Sequence, residues 1–204
     1  MNFLKENKNG AESKTERIAT KMFDCTLENY RSLKGRIQKC DGKIVILVHP
    51  FFEHEHKEPT PKNKVKAEKL KEVTEKLENL FSDIRNSEIP VIVMQETAHM
   101  PRRDVYLTGD PRQNVFFIPT KSADPMPEFE YPGAFGLRAV KGGWAEAVRT
   151  LHDLKVREIT LGGMYLWSGT DWLGKEHNSG CAGLAYERLK KEFSVKLSDM
   201  TFPN

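Results

Sequence analysis

The run Lys43-Ile-Val-Ile-Leu-Val48, held between Asp41-Gly42 and Pro50, is the strongest constraint on how this chain can fold. Nothing after Lys43 in it is polar, so it cannot alternate between core and solvent and reads as a strand buried on both faces. Only a central strand of a parallel sheet has such a place. A second run of this kind, Ile89-Pro-Val-Ile-Val-Met94, comes after a segment with helical spacing. There Val73, Leu77, Leu80, Phe81 and Ile84 recur at steps of three and four, giving a helix from about Lys62 to Asn86 one apolar stripe. Strand, helix and strand make a β-α-β unit, whose crossover is expected to be right-handed.

The alternation continues. Strands are predicted at Val115 to Ile118, Leu137 to Val140, Arg157 to Leu161 and Ser194 to Leu197, and helices at Trp144 to Asp153 and Ala182 to Glu192. Residues 1 to 16 are polar and expected to fray. Residues 17 to 38 carry a helical pattern through Ile18, Met22, Phe23, Leu27, Tyr30 and Leu33. His49 to Pro61 and Gly162 to Gly180 read as loops, and Gln95 to Gly136 is mostly loop. The expected fold class is α/β: a three-layer, Rossmann-like open sheet, mainly parallel, with helices on both faces. The expected organisation is a polar and helical extension over 1–42, followed by an α/β domain over 43–204.

Composition removes several classes of function. The 204 residues suit one domain, and 38% hydrophobic with 30% charged content is a globular balance. The 32 basic and 29 acidic residues nearly cancel, so no concentrated basic face calls for nucleic acid. The Lys-rich stretch from Lys62 to Lys71 is interleaved with and followed by Glu68, Glu72, Glu75 and Glu78, which reads as a solvated helix face. Cys25, Cys40 and Cys181 are odd in number and widely spaced, which argues against a disulfide framework or a zinc ribbon. The opening residues have no apolar signal region, and no apolar run approaches the ~18 residues of a membrane span. A cytoplasmic protein with a small-molecule ligand or substrate is expected, with homo-oligomerisation left open.

Ligands of such sheets sit beyond the carboxyl ends of the strands, so the loops leaving those ends form one rim. Five of the six histidines fall there by this reading, and His152 alone sits on a helix. Cys181, in Ser179-Gly-Cys-Ala-Gly183, is predicted just before a helix. The helix dipole there would favour the thiolate, and flanking glycines would leave backbone amides open to an oxyanion. The plainer alternative is a small apolar residue packing a helix start. His54-Glu-His56 has the spacing to hold a divalent metal such as zinc, with His99 as a further candidate, or it is an exposed charged loop. Phe52, Glu96, Tyr165 and Trp167 are candidate substrate-binding residues, the rings of which could equally cap the core. His49-Pro-Phe-Phe after the first strand is not a phosphate cradle, so no nucleotide cofactor is expected.

This order of elements, ending in a cysteine-led helix, resembles the isochorismatase-like cysteine hydrolases. Their first strand ends like V-I-D-x-Q-x-D-F, where this chain has Leu47-Val-His-Pro-Phe-Phe52. Their second reads like I-P-V-I followed by a histidine, where this chain has Ile89-Pro-Val-Ile and then His99. Their catalytic lysine ends a strand ahead of a helix, as Val140-Lys141 does. Gly163-Met164, Cys181-Ala182 and the tail from Glu192 to Asp199 approach other family segments. The resemblance implies Cys181 as nucleophile, Lys141 as a stabiliser of negative charge, and His49 in the position of the family's acid. It implies hydrolysis of a small amide or related substrate. Two departures stand out: His49 replaces that acid, and a longer segment separates Gly163 from Cys181. The competing expectations are a catalytically silent binding or scaffold domain of the same fold, and a metal-dependent hydrolase using the rim histidines.

Overall fold

The computed structural model describes residues 11–23, 25–50, 88–96, 115–120, 143–170 and 176–203, together with helical residues 68, 71, 72, 75, 76 and 79. The expected strand Leu137 to Val140 lies outside the described residues, as does most of the helix from Lys62 to Asn86.

Two helices open the described chain, α1 (Lys14–Met22) and α2 (Leu27–Lys39). The sequence pattern suggested one helix over 17 to 38; local capping chemistry divides it and carries it back into the segment expected to fray. Ser13 begins α1 with a reciprocal capping box: the Glu16 N–H donates to the Ser13 hydroxyl and the Ser13 N–H donates to the Glu16 carboxylate. Thr26 caps α2 with a single bond, its hydroxyl accepting from the Asn29 N–H at 3.2 Å. Phe23, Tyr30, Leu33 and Ile37 from these helices are buried in one cluster with the strands. Asp41 and Gly42 then turn the chain with φ of 54° and 79°, the conformation that an Asp-Gly pair favours.

The strands are β1 (Lys43–Val48), β2 (Val91–Glu96), β3 (Val115–Thr120), β4 (Glu158–Thr170), β5 (Glu176–Ser179) and β6 (Ser194–Pro203). Between them lie α3 (Gly143–Asp153) and α4 (Gly180–Leu189). β3, β2, β1 and β4 pair in that order, all parallel, and β6 pairs with β4, also parallel. The class is therefore α/β with a parallel sheet. The uninterrupted apolar run of β1 matches its central place, with Ile44, Ile46, Leu47 and Val48 all at 1% exposure or less. Beyond Leu166 the pairing changes, and β5 runs antiparallel to β4 from Thr170↔Glu176 to Trp167↔Ser179.

The segment 162–180 is thus not a long loop. β4 continues to Thr170, and β5 returns as the second strand of a ribbon. The adjacent glycines Gly162-Gly163 read as a strand end, yet here they accompany a register shift within the pairing of β4 with β6. β6 likewise runs on to Pro203, well past Leu197. The described part of the Lys62–Asn86 segment behaves as a solvated face: Glu68, Lys71, Glu72, Glu75 and Asn79 are exposed, with Lys76 paired to Glu72 at 2.8 Å. Lys76 also reaches Asp199 of β6 at 3.0 Å. Among the described residues, no helix is long and apolar enough to cross a membrane.

Candidate functional site

Along the sheet the chain first moves from β1 outward to β2 and β3, then returns to the other side of β1 with β4. The strand order therefore reverses between β1 and β4, and the carboxyl end of β1, Val48, lies beside Gly163 within β4, the kind of switch point at which open α/β sheets bind ligands. Two backbone features mark this point. Gly163 has φ of 118°, and a Cβ there would lie 2.0 Å from the Val48 carbonyl oxygen, so the two strands meet closer than any side chain permits. Directly after β1, His49 holds a left-handed φ of 49° although it is not glycine. Such a conformation costs roughly 1–2 kcal/mol in a non-glycine residue and persists where surrounding structure enforces it. That enforcement is visible: the His49 N–H donates to the Met94 carbonyl of β2 at 2.7 Å, and the residue is 2% exposed.

Cys181 reaches the same rim by a traceable route. β5 runs back along β4 and ends at Ser179, opposite Trp167, so α4 begins at the carboxyl end of the sheet. The chain then re-enters the sheet at Ser194, opposite Glu158, at the amino end. Ala182, Gly183, Ala185 and Leu189 are buried, and these mostly small residues let α4 lie against β4 and β1. The helix begins at Gly180, earlier than the sequence suggested, so Cys181 lies inside its first turn and not before it. That turn contains no acidic residue to offset the positive end of the helix dipole.

The other candidates divide in two. Glu96 is the last residue of β2, two positions beyond Met94, which pairs with Val48. Tyr165 and Trp167 belong to β4 and its ribbon, not to a loop. Lys141, Phe52, His54, His56 and His99 lie outside the described residues. The rim thus gathers His49, Glu96, the far part of β4 and the start of α4. Among the described residues, no group of three or more histidines, cysteines or acids stands ready to hold a metal.

Two cysteines and one histidine stand apart from this chemistry. The Cys40 thiol donates to the Glu88 carbonyl at 2.9 Å, and burial pushes its pKa up, both of which keep it protonated. Cys25 is half-buried and packs on the core. His152 of α3 is 3.3 Å from the Glu192 carboxylate, and its ring centroid is 4.6 Å from that of Phe193. It fastens α3 to the approach to β6.

His177, one of the five histidines that the sequence places on the rim, lies in β5, the strand that delivers the chain into Cys181. Set against known proteins, the chain matches no family model, no curated protein and no solved structure.

Proposed function

We propose that this chain is a cytoplasmic cysteine hydrolase of the isochorismatase-like kind, built on a three-layer, Rossmann-like sheet with helices on both faces. Its substrate is a small amide or a related compound. The observation that carries this reading is the start of α4, with Cys181 in its first turn, at the carboxyl rim beside the β1–β4 reversal.

In this reading the Cys181 thiolate attacks the carbonyl carbon, and backbone amides at the start of α4 receive the oxyanion. The tetrahedral intermediate collapses to a thioester as the amine departs with a proton. Water then hydrolyses the thioester and restores the thiol. His49 accepts the thiol proton, since a neutral imidazole is a suitable base for a thiol. Lys141 stabilises the developing negative charge. Glu96, Phe52, Tyr165 and Trp167 contact the substrate.

The near-complete burial of His49 favours a second reading, in which the imidazole is structural and the crevice binds without reacting. Acylation separates the two. With p-nitrophenyl acetate, the hydrolase gives an initial burst of nitrophenolate and an acetylated peptide containing Cys181, both absent in Cys181→Ser and slowed in His49→Asn. No burst and no adduct leave the silent binding domain. Steady hydrolysis without a burst, abolished by a chelator and fully retained in Cys181→Ser, would instead favour a zinc-type site using His54, His56 and His99.

A further inference from the structure

α2 and α3 end side by side at the amino end of the sheet, and they end in the same way. In α2 the Gly42 N–H donates to the Ile37 carbonyl at 2.9 Å and the Asp41 N–H to that of Gln38 at 3.3 Å. In α3 the Val156 N–H donates to the Leu151 carbonyl at 3.0 Å and the Lys155 N–H to that of His152 at 2.9 Å. Each pair of bonds forms a Schellman motif, which needs a left-handed residue just past the helix. Asp41 takes that place after α2 with φ of 54°, and Lys155 takes it after α3 with φ of 66°. The two turns touch. A Cβ on Gly42 would lie 2.5 Å from the Lys155 carbonyl oxygen, and the Arg157 N–H donates to the Gly42 carbonyl at 2.8 Å.

Aspartate enters the left-handed region at little cost, whereas lysine does not, and glycine is the usual residue there. The Lys155 side chain is exposed, so core packing does not repay the strain. What the lysine brings is charge. Lys39 at the end of α2, Lys43 at the start of β1 and Arg157 just before β4 are exposed around it. Lys43 is the sheet partner of Glu158, so segments distant in the chain meet here. Among the described residues, none of these four cations makes an ion pair, and Glu158 is already bridged to Lys196 at 2.9 Å. Cations near a helix C-terminus offset its dipole, which accounts for Lys39 and Lys155 but not for Lys43 and Arg157 at the strand starts.

The signs on this face are mixed, since Asp41 and Glu88 are exposed beside the cations. Nucleic acid or an anionic bilayer presents a dense array of phosphates, which those two acids would repel. An acidic protein segment carries separate carboxylates, which can meet the cations and leave the acids clear. We propose that this face docks an acidic segment of a partner protein through Lys39, Lys43, Lys155 and Arg157. It lies at the opposite end of β1 from His49, so docking leaves the carboxyl rim uncovered.

Fluorescence anisotropy of the full-length protein with a labelled peptide of alternating glutamate and serine tests the proposal. Binding is expected, and salt should weaken it, because exposed charges are screened. Lys43→Gln, Lys155→Gly and Arg157→Gln should each weaken it about twofold to fivefold, the range of one exposed ion pair. Lys71→Gln, on another helix, should leave it unchanged. Lys155→Gly also separates charge from structure: it should bind more weakly yet unfold at a urea concentration no lower than the parent, since glycine relieves the turn. A less stable Lys155→Gly with unchanged binding would make this lysine a partner of the helix dipole alone and overturn the proposal. Absence of peptide binding would overturn it too. Tighter binding of phosphatidylserine vesicles or of single-stranded oligothymidylate would replace the acidic protein segment with a phosphate array.

Discussion

Gly163 and Gly35 carry the same side chain, and the structure assigns them opposite consequences. A methyl group at Gly163 would lie 2.0, 2.5 and 2.8 Å from three backbone atoms of Val48, at a φ that L-residues rarely adopt. Since backbone on both sides must shift, Gly163→Ala is expected to destabilise the protein by more than ~3 kcal/mol, among the larger losses single substitutions cause. At Gly35, inside α2, a Cβ would meet nothing within 4 Å. Gly35→Ala should therefore stabilise by about 0.5–1 kcal/mol through helix propensity. Urea denaturation of the two variants checks both signs, and a stable Gly163→Ala would show that β1 and β4 do not meet this closely. At this scale the sequence was informative about identity and silent about conformation. A histidine ending β1 is legible from the string Val48-His49-Pro50, but its left-handed φ depends on a hydrogen bond to Met94, far along the chain.

The junction of α1 and α2 shows how short-range chemistry outweighs periodicity. Apolar spacing ran unbroken from Ile18 to Leu33, yet Ser13 and Thr26 each start a helix of their own. The signal was present, since Ser13-Lys-Thr-Glu16 is a capping-box pattern. What no pattern contained is the clamp across the junction: Arg31 of α2 grips both oxygens of Glu16 in α1, at 2.8 and 3.3 Å. The Arg31 guanidinium and the Ser13 amide hold the Glu16 carboxyl down to about 2, from an ordinary 4.5. A depressed carboxyl pKa stabilises the fold above the unfolded value and loses that contribution as the carboxyl protonates. The stability gap between the parent protein and Glu16→Gln should therefore be steady above pH 5 and shrink toward zero as pH falls from about 4.5 to 2. Its size is expected near ~0.5–1 kcal/mol, because the pair is only partly shielded from water. Chemical denaturation across that pH range measures it, and a gap that widens on acidification would contradict the clamp. The ribbon was missed for the complementary reason. Strand alternation in Tyr165 to Thr170 is masked by glycine and serine, and the pairing strand Glu176–Ser179 is too short and polar to announce itself.

For the molecule as a whole, the parallel sheet was the most legible feature, because both-face burial leaves apolar runs that no half-buried strand would carry. The N-terminal helices, read as an extension that packs on the domain, contribute Phe23, Tyr30, Leu33 and Ile37 to the same buried cluster as Ile44, Ile92 and Trp144. Each such side chain contributes about 1.5–3 kcal/mol on burial. Their sum is comparable with the whole net stability of a typical domain, about 5–15 kcal/mol. A chain beginning at Asp41 is thus expected to show no cooperative urea transition by circular dichroism, whereas a stably folded truncation would make the helices an accessory. The candidate site was legible in outline, as a rim with a cysteine-led helix. Its walls were not, since they are built by pairings between distant segments.

One of those pairings also sets the order of events in synthesis. β1 is translated early, but its neighbour β4 starts at Glu158, which pairs with Lys43 more than a hundred residues back. Closing so long a loop is slow, and an unpaired apolar strand such as Ile44 to Val48 must meanwhile avoid other chains. On the ribosome, the β1–β2 unit can form while β4, the ribbon and α4 are still being made. This side of the sheet is therefore completed last, and a nascent chain stalled before residue 158 would expose a sticky half-sheet that lacks β4, the ribbon and α4.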